Sequence, residues 1–370
     1  MDVAYITRDD ANDISVWSGT TKNIFLNLKD ITKVDNIIIK QSWFHKLYKK
    51  LNRKKSLTKV DEYLTGQEIK KNITKLQQYD VLFLPVGSEL LGNKNFPGSE
   101  QLRKKIIYLS DATFDLMQDY YPEFKLMSKT TKEKNEELEK ESLQKASDII
   151  YSSEWAKRNA HDHYQIEESK LNVIHFGANL PDNYVPKTYD YKQELNFLIV
   201  GVDWKRKGIE RAVETVKILN KRNRNYKFKL NVVGFNKPES LTDSPEIKFY
   251  GRLNKHKQQD LDQMIDLYQK SDLFIFPTIA ECSPIVLCEA AMYGLPVVSI
   301  NTGGISSYVT NESGKLLPLS NSSAEDFCKV IEPLIYNEEL AEMSRASRSL
   351  YEQKLNWKTW KEKVDKLIKT

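Results

Sequence analysis

The sequence predicts an α/β protein with two parallel-sheet domains. The chain has 370 residues, and single hydrophobic cores rarely grow much beyond about 250 residues, so two domains are expected. Short runs of β-branched and apolar residues alternate with helical patterns along the whole chain. Strand–helix–strand repeats of this kind produce parallel sheets with right-handed crossovers.

Six short apolar runs in the first half predict buried strands. Polar residues, Gly or Pro bound each run, and helical patterns separate several of them, most clearly at residues 132–146. The predicted strands are VAYIT, DNIIIK, DVLFLP, KIIYLS, DIIYSS and LNVIHF. Together they define a first domain over residues 1–180.

The second half alternates more regularly and defines a second domain over residues 190–352. Its predicted strands are NFLIVGV, KFKLNVVG, IKFYG, DLFIFP, PVVSI and KLLPL. The polar, proline-containing stretch 178–194 breaks the alternation, so it is the predicted linker. The last segment, 355–370, is amphipathic and aromatic, and we expect it to form a helix that packs back on the first domain.

Composition excludes several classes of protein. No segment approaches the roughly 18 consecutive apolar residues of a membrane span, and the first residues, MDVAYITRDD, predict no secretory signal. Three cysteines without CxxC spacing favour a reducing compartment over a disulfide framework or zinc site. A net charge of +5 without a recognisable motif predicts no nucleic-acid partner. We therefore expect a cytoplasmic protein.

Unusual residues follow five successive strands of the second domain. In an open parallel sheet, ligands bind beyond the carboxyl ends of the strands. Each feature alone is an ordinary turn, since Gly is the default turn residue, but together they indicate a ligand site on one edge. They are the cations 205–207 with Gly208, Gly234, Gly251 with Arg252, Glu281, and Gly303 with Gly304.

The stretch ECSPIVLCE, residues 281–289, predicts an anion site at a helix start. Ser283 suits the N-cap and Pro284 the first helical position. The backbone amides of Ile285 and Val286 would then be free to bind a phosphate.

Two glutamates enclose this helix start. Glu289 lies about five helical residues in, roughly 7–8 Å beyond the tip, so it and Glu281 could bracket a diphosphate. Carboxylates accept hydrogen bonds strongly, which suits hydroxyls on either side of that diphosphate. The ligand implied is a nucleotide-diphosphate sugar, with the DWKRKG cations balancing its charge. The alternative for each glutamate is a solvated side chain.

At these residues the sequence resembles the family-four retaining glycosyltransferases with the two-Rossmann GT-B fold. The resemblance rests on the E-x7-E element Glu281 to Glu289 within PTIAECSPIVLCEAAMYGLPVVSINTGGI, on VGVDWKRKG, and on VIHFGANL. It is strong over about residues 145–320. It implies two Rossmann-like domains facing a central cleft, with the acceptor side in the first and the donor side in the second.

The resemblance implies a role for each matching residue. Glu281 would be catalytic, holding hydroxyls of the donor sugar, while Glu289 would bind the ribose hydroxyls and the Ile285 and Val286 amides the diphosphate. Lys207 matches the lysine that neutralises the diphosphate. The place of the family's arginine holds Val202, so Arg206 is the proposed substitute. The remaining predicted donor-binding residues are Ser283, Pro284, Gly234, Arg252 and Leu253.

Two loops of the first domain hold candidate residues. SVWSGT resembles the family's glycine loop, so Trp17, Ser18, Gly19 and Thr20 are candidates for contact with acceptor or phosphate; a helix start capped by Ser18 is the alternative. The family often has a histidine after a mid-domain strand, where this chain has YLSDATF. That histidine lies beside the donor sugar, so Asp111 is the candidate catalytic residue there, with a helix cap as its alternative.

Residues 40–59, KQSWFHKLYKKLNRKKSLTK, contain eight Lys/Arg and no acid. Apolar positions 43, 44, 47, 48 and 51 fall on one helical face. A basic amphipathic helix is typical of peripheral contact with an anionic membrane. A helix whose apolar face packs on the domain is the alternative.

The resulting prediction is a retaining glycosyltransferase that moves a sugar from a nucleotide-diphosphate sugar to a glycan, lipid-linked or other hydroxyl acceptor, in cell-surface polysaccharide synthesis. We expect it in the cytoplasm or at the inner membrane face. No DxD follows a strand, so no metal and no cofactor are predicted. A nucleotide-sugar epimerase and a non-catalytic GT-B partner are the alternatives, and nucleotide, sugar, acceptor and oligomeric state stay open.

Overall fold

The computed structural model describes residues 1–13, 16–51, 59–189, 193–239, 241, 244–336 and 339–370. The chain forms two compact units. The first comprises Met1–His175 and Trp360–Thr370, and the second comprises Phe176–Thr359. The first unit thus ends five residues before the expected boundary at residue 180, and the chain returns to it in its last helix.

The first unit contains a parallel sheet of six described strands in the order β2-β1-β3-β4-β5-β6. Its strands are β1 (Asp2–Thr7), β2 (Lys33–Ile38), β3 (Val81–Pro85), β4 (Lys105–Ser110), β5 (Asp148–Tyr151) and β6 (Leu171–Val173). Its helices are α1 (Thr20–Lys29), α2 (Trp43–Leu51), α3 (Lys59–Lys70), α4 (Ile73–Leu76), α5 (Ser88–Leu91), α6 (Ser99–Leu102), α7 (Phe114–Gln118), α8 (Pro122–Lys125), α9 (Lys129–Lys145) and α10 (Glu154–Asp162).

The second unit repeats this plan, with the described strands in the order β12-β11-β10-β7-β8-β9. Its strands are β7 (Glu194–Val200), β8 (Lys227–Val233), β9 (Ile247–Phe249), β10 (Leu273–Phe276), β11 (Val297–Asn301) and β12 (Gly314–Pro318). Its helices are α11 (Ile209–Arg222), α12 (Gln258–Lys270), α13 (Ile285–Met292), α14 (Ala324–Tyr336) and α15 (Glu339–Gln353). The last helix, α16 (Trp357–Lys369), begins here and continues into the first unit.

Each sheet reverses its strand order at one place. Chain order runs outward in both directions from the β1/β3 pair in the first sheet and from the β7/β10 pair in the second. In the second sheet Leu273 pairs with Phe197 and Phe274 with Leu198, in parallel. Such a switch point leaves a crevice at the carboxyl ends of the two strands, so the loops after β7 and β10 lie side by side.

The central strands are buried because their runs are apolar on both faces, as both faces of a parallel sheet are covered. In β10, for example, every residue is buried. The apolar stripe of α11 packs on the same sheet through Ile209, Ala212, Val216 and Leu219, which are inaccessible to solvent. The periodicity of the sequence thus determines which faces form the core.

The described part of the predicted linker, 178–194, packs on the second unit. Lys187 donates to the carbonyls of Tyr268 at 2.9 Å and Gln269 at 2.7 Å, and the Tyr293 hydroxyl donates to the Pro181 carbonyl at 2.7 Å. The segment therefore packs on the second unit, because its lysine satisfies carbonyls at the end of α12. Residues 190–192 lie outside the described chain.

The C-terminal helix is attached to the first unit by lysines. Lys361 contacts Asp30 at 2.8 Å, and Lys105 donates to the Leu367 carbonyl at 2.5 Å. Trp360, Val364 and Ile368 bury the apolar stripe of α16. Among the helices of the described ranges, none combines the length and the apolar character needed to cross a membrane.

Candidate functional site

The loop after β7 presents two cations in a tight turn. The Lys207 amide donates to the Asp203 carbonyl at 2.9 Å, and the Arg206 amide donates to the Asp203 carboxylate at 3.0 Å. Gly208 has φ +67°, and a Cβ there would lie 2.1 Å from the Pro277 carbonyl oxygen. Only glycine fits this position, which explains the Gly that follows the cations.

Glu281, after β10, receives both cations. Its carboxylate accepts from Arg206 at 2.6 Å and also contacts the Lys207 ammonium. Glu281 is only 6% exposed. The structure therefore brings together three predicted site residues from the two strands at the switch point.

Burial shapes the chemistry of this cluster. Desolvation lowers the pKa of the Lys207 ammonium below its ordinary value, and the neighbouring Glu281 carboxylate counteracts that shift. The ammonium also lies 4.9 Å from the centre of the Phe276 ring, a cation–π arrangement. A buried ion pair costs desolvation, and losing one partner leaves an uncompensated charge. Removing Glu281 would therefore leave the Lys207 ammonium buried without its carboxylate partner.

The helix after Glu281 starts one residue later than the sequence predicts. Pro284 is the N-cap, with φ −76° and ψ 88°, and α13 begins at Ile285. The assignment of Ser283 to the N-cap and of Pro284 to the first helical position is wrong, because ψ 88° at Pro284 lies outside the helical region. The first two helical amides still belong to Ile285 and Val286, and such amides have no intrahelical acceptor.

Glu289 is in the second turn of α13 and is fully buried. Its Oε1 contacts the Lys255 ammonium, and its Oε2 accepts from the Tyr268 hydroxyl at 3.0 Å. Both oxygens predicted for ribose hydroxyls thus have protein partners in this structure. Lys255 comes from the loop after β9 and Tyr268 from α12.

Sequence reasoning missed both partners of Glu289. Lys255 lies in the polar loop RLNKHK, where a lysine carries no distinguishing signal. Tyr268 falls on the apolar face of an amphipathic helix, where an aromatic residue usually belongs to the core. Only the tertiary packing joins them to Glu289.

Glycine allows close approach at the ends of β7 and β8. Gly234 has φ +107°, and a Cβ there would lie 1.6 Å from the Gly201 carbonyl oxygen. Leu253 packs against the core, whereas Arg252 is exposed. Val202, at the place of the family's arginine, is 63% exposed. Gly234 and the Arg252 loop therefore border the same edge of the sheet as the cation loop.

Two predicted loops of the first unit also meet. The Trp17 indole donates to the Asp111 carboxylate at 3.2 Å, joining the segments after β1 and β4. Thr113, not Asp111, caps α7 by accepting from the Leu116 amide, so the helix-cap alternative for Asp111 is wrong.

The glycine loop of the first unit differs in one detail from the expectation. Gly19, with φ +81°, is the N-cap of α1, which begins at Thr20. The alternative in which Ser18 caps the helix is therefore wrong, because the left-handed conformation at the cap suits glycine. The side chain of Ser18 lies outside the described atoms.

One group of metal-ligand types comes together within the described residues. Asp115, Glu136 and His163 place one ligand atom each within 4.8 Å of the others. His163 Nε2 already lies 2.5 Å from Glu136 Oε1, and Asn159 and Tyr164 hold the two carboxylates. None of these residues is among the predicted site residues.

Residues 182–350 match the family model described as glycosyl transferases group 1. The match covers just under half of the chain. The resemblance to family-four glycosyltransferases is therefore confirmed, and the group 1 segment contains the Lys207–Glu281 cluster, Lys255 and Glu289.

A curated relative extends this similarity. The capsular polysaccharide biosynthesis glycosyltransferase CapM of Staphylococcus aureus is 30% identical over 222 residues, covering 55% of this chain and 56% of CapM. The chain spans about half the length of the curated relatives it matches.

Solved structures share the fold of the whole chain. Sucrose-phosphate synthase from Thermosynechococcus elongatus has a TM-score of 0.70 at 17% identity, over 100% of this chain and 98% of that one. HepE of Anabaena, solved in complex with UDP and glucose, has a TM-score of 0.65 at 14% identity, over 100% and 99%. With a group 1 segment and two six-stranded parallel sheets, the predicted GT-B fold class is confirmed.

Proposed function

We propose that the protein is a retaining glycosyltransferase that moves a sugar from a nucleoside-diphosphate sugar to a hydroxyl acceptor in cell-surface polysaccharide synthesis. The observation that carries this proposal is the contact of the buried Lys207 and the half-buried Arg206 with the buried Glu281 at the switch point of the second sheet. It lies in a segment of the glycosyl transferases group 1 family.

A nucleotide sugar suits this cluster because it supplies both kinds of partner. Its diphosphate would take up Lys207 and Arg206, together with the first amides of α13. When the cations contact the diphosphate, they no longer pair with Glu281, and the sugar hydroxyls would donate to its carboxylate instead. An anion without hydroxyl groups would bind the cations and leave the Glu281 carboxylate without a partner. A neutral sugar would have to displace the cations from Glu281 and would leave them without an anion. Neither ligand alone therefore satisfies all the buried charges.

The same exchange applies at Glu289. The Lys255 side chain is one-third exposed and can leave for solvent, whereas the buried Tyr268 hydroxyl stays. Ribose hydroxyls would replace the ammonium on Oε1. In this proposal Lys255 occupies the ribose position while the donor is absent.

The proposed chemistry needs a stabilised leaving diphosphate and a shielded, positively charged anomeric carbon. Lys207, Arg206 and the α13 amides stabilise charge that develops on the leaving oxygen. The Glu281 carboxylate orients the sugar and lies where positive charge grows. We propose that these groups serve without a metal or further cofactor, and that the sugar keeps its anomeric configuration.

The acceptor is proposed from the relatives and from the first unit. CapM is described as acting in capsular polysaccharide biosynthesis, which favours a glycan or lipid-linked hydroxyl at the cytoplasmic membrane face. The Trp17–Asp111 contact offers an aromatic surface and a carboxylate, groups that bind sugars by stacking and hydrogen bonding. Asp111 is thus the proposed acceptor-side acid.

A ligand screen followed by a turnover assay tests the proposal. UDP, GDP, ADP and CDP are compared by thermal shift, and the matching nucleotide sugars are incubated with glycan and lipid-linked acceptors. We expect stabilisation by one nucleoside diphosphate and a product whose anomeric configuration, read by NMR, equals that of the donor.

Glu281→Gln is the variant that links turnover to the cluster. It should lower turnover roughly a hundredfold or more and leave affinity for the nucleoside diphosphate within about threefold, because the diphosphate partners remain. A new sugar formed from donor alone would indicate an epimerase instead. Donor binding without turnover on any acceptor would indicate a non-catalytic partner.

A further inference from the structure

Helix α2 exposes its apolar side chains. Trp43 is 68% exposed, Phe44 70%, Leu47 37% and Leu51 74%. The rings of Trp43 and Phe44 pack edge-to-face at 5.0 Å, so they form one apolar surface. The alternative in which this face packs on the domain is therefore wrong for these four side chains.

A single polar side chain faces inward from this helix. His45 is 1% exposed and is the buried residue of α2. Its Nδ1 lies 3.0 Å from Glu68 Oε1 and its Nε2 lies 3.2 Å from Asp61 Oδ1, both on α3. Glu68 in turn contacts Arg8 at 2.8 Å. The helix is thus held by a buried polar network rather than by its apolar stripe.

The helical wheel explains the exposure. At about 100° per residue, Trp43, Leu47 and Leu51 span an arc of roughly 80° that faces away from His45. Phe44 and the half-buried Tyr48 extend this arc toward one side. The His45 contacts therefore turn the apolar arc outward.

Cations border the arc on its other side. Lys46, Lys49 and Lys50 are exposed, and none of them pairs with a carboxylate in the part of the chain that the structure describes. The sequence adds Arg53, Lys54 and Lys55 directly after the helix, and residues 40–59 contain no acid. Residues 52–58 lie outside the described chain. The described surface is therefore apolar in the centre, with three lysines along one side, of which Lys49 lines a cavity together with Asp61, Glu62 and Glu89.

We propose that α2 is a docking surface for an anionic lipid bilayer. Trp and Phe side chains prefer the headgroup boundary, and Leu side chains reach the acyl region. Lys side chains beside them contact lipid phosphates, which adds attraction to an anionic surface. The exposed lysines beside the apolar arc favour this occupant over an apolar protein partner, which would offer them no anionic groups.

Vesicle flotation of the full chain tests the proposal independently of any transferase activity. Phosphatidylcholine vesicles are compared with vesicles that contain about one-third phosphatidylglycerol, at low and high salt. We expect the protein to float with the anionic vesicles at low salt, to dissociate from them at high salt, and not to bind the neutral vesicles.

Three variants identify the surface. Trp43→Ala/Phe44→Ala and Lys46→Gln/Lys49→Gln/Lys50→Gln should each lower the bound fraction about tenfold or more at limiting lipid. Lys217→Gln/Lys221→Gln/Lys227→Gln removes three exposed lysines of the second unit and should bind like the wild type. Equal melting temperatures show that the exposed substitutions leave the fold intact.

Two kinds of result would overturn the proposal, one from flotation and one from sedimentation. One is wild-type protein that stays unbound to anionic vesicles, or α2 variants that float as well as the wild type. The other is a wild-type dimer in lipid-free sedimentation that Trp43→Ala/Phe44→Ala converts to a monomer, which would assign the surface to a second copy of the chain.

Discussion

Buried carboxylates have two kinds of partner in this protein, and Glu281 and Glu289 of the second unit differ in this respect from Glu139 of the first. In the second unit, Glu281 contacts Arg206 and Lys207, and Glu289 contacts Lys255. In the first unit, Glu139 of α9 is 3% exposed and meets the Tyr108 hydroxyl at 3.1 Å, with no cation within ion-pair distance among the described residues.

Because Glu139 has a hydroxyl and no cation as its partner, its protonation differs from that of an ordinary carboxyl group. Burial raises the pKa of Glu139 to about 8, against which the Tyr108 hydroxyl contributes a smaller lowering. A protonated carboxyl avoids the cost of a buried charge. Glu281 and Glu289 instead have cationic partners, as Glu68 of the first unit has in Arg8. In the proposed function the donor takes over the cations of Glu281 and Glu289, whereas Glu139, which contacts a hydroxyl, belongs to the core.

The substitution Glu139→Gln tests whether Glu139 is protonated in the folded protein, and we expect it to give the largest change in the free energy of unfolding. Above pH about 4.5 the unfolded chain releases this proton, whereas the folded protein keeps it until about pH 8. Wild-type stability should therefore fall as pH rises between these values, and an amide removes that loss. We expect the variant to unfold like the wild type near pH 5 and to be more stable near pH 8.5 by on the order of 3 kcal/mol, measured by urea unfolding.

The control for this prediction is Glu141→Gln, an exposed glutamate of the same helix, which should leave the difference between the two pH values unchanged. Equal destabilisation by Glu139→Gln at both pH values would mean that Glu139 is charged in the folded protein. The contrast between the two units would then fail.

The substitution Lys207→Met tests the proposal that the Lys207 ammonium binds the donor diphosphate. Met keeps most of the side-chain length but cannot balance a diphosphate, while Arg206 still pairs with Glu281. We expect nucleoside diphosphate affinity, measured by calorimetry, to fall roughly tenfold to a hundredfold.

Its neighbour Lys205 provides the matched control, because it is exposed and belongs to the same turn. Lys205→Met should change the affinity by less than about threefold. Comparable losses in both variants would show that the loop attracts anions only through its total charge.

The fold could be read from the sequence because parallel strands are buried on both faces. Apolar runs such as DLFIFP and KFKLNVV coincide with β10 and β8 to within a residue or two. The 14 residues of α11 carry a regular apolar stripe, and Gly208 precedes them.

The site could be predicted only in part. Glu281 and Lys207 each follow a strand, but their contact depends on β7 lying beside β10, and local pattern does not determine strand order. Lys255 and Tyr268 resemble ordinary loop and core residues. The exposure of the apolar face of α2 could not be predicted either, because a helix that packs on its domain and a helix that docks on a membrane have the same hydrophobic periodicity. Here the buried contacts of His45 determine which face is exposed.

The substitution Lys255→Met should cause the smallest change in nucleotide affinity, and it tests directly whether Lys255 occupies the ribose position in the free protein. It leaves Glu289 with the Tyr268 hydroxyl alone, so the free protein should lose about 1–3 kcal/mol of stability. Ribose hydroxyls would then satisfy a carboxylate that no longer has to release a cation, so the nucleoside diphosphate should bind about threefold tighter. A 2′,3′-dideoxy nucleoside diphosphate lacks those hydroxyls and should show no such gain. If the variant tightens binding of both ligands equally, Lys255 acts through general charge and not by occupying the ribose position; if wild type binds neither ligand, it is the donor assignment that fails.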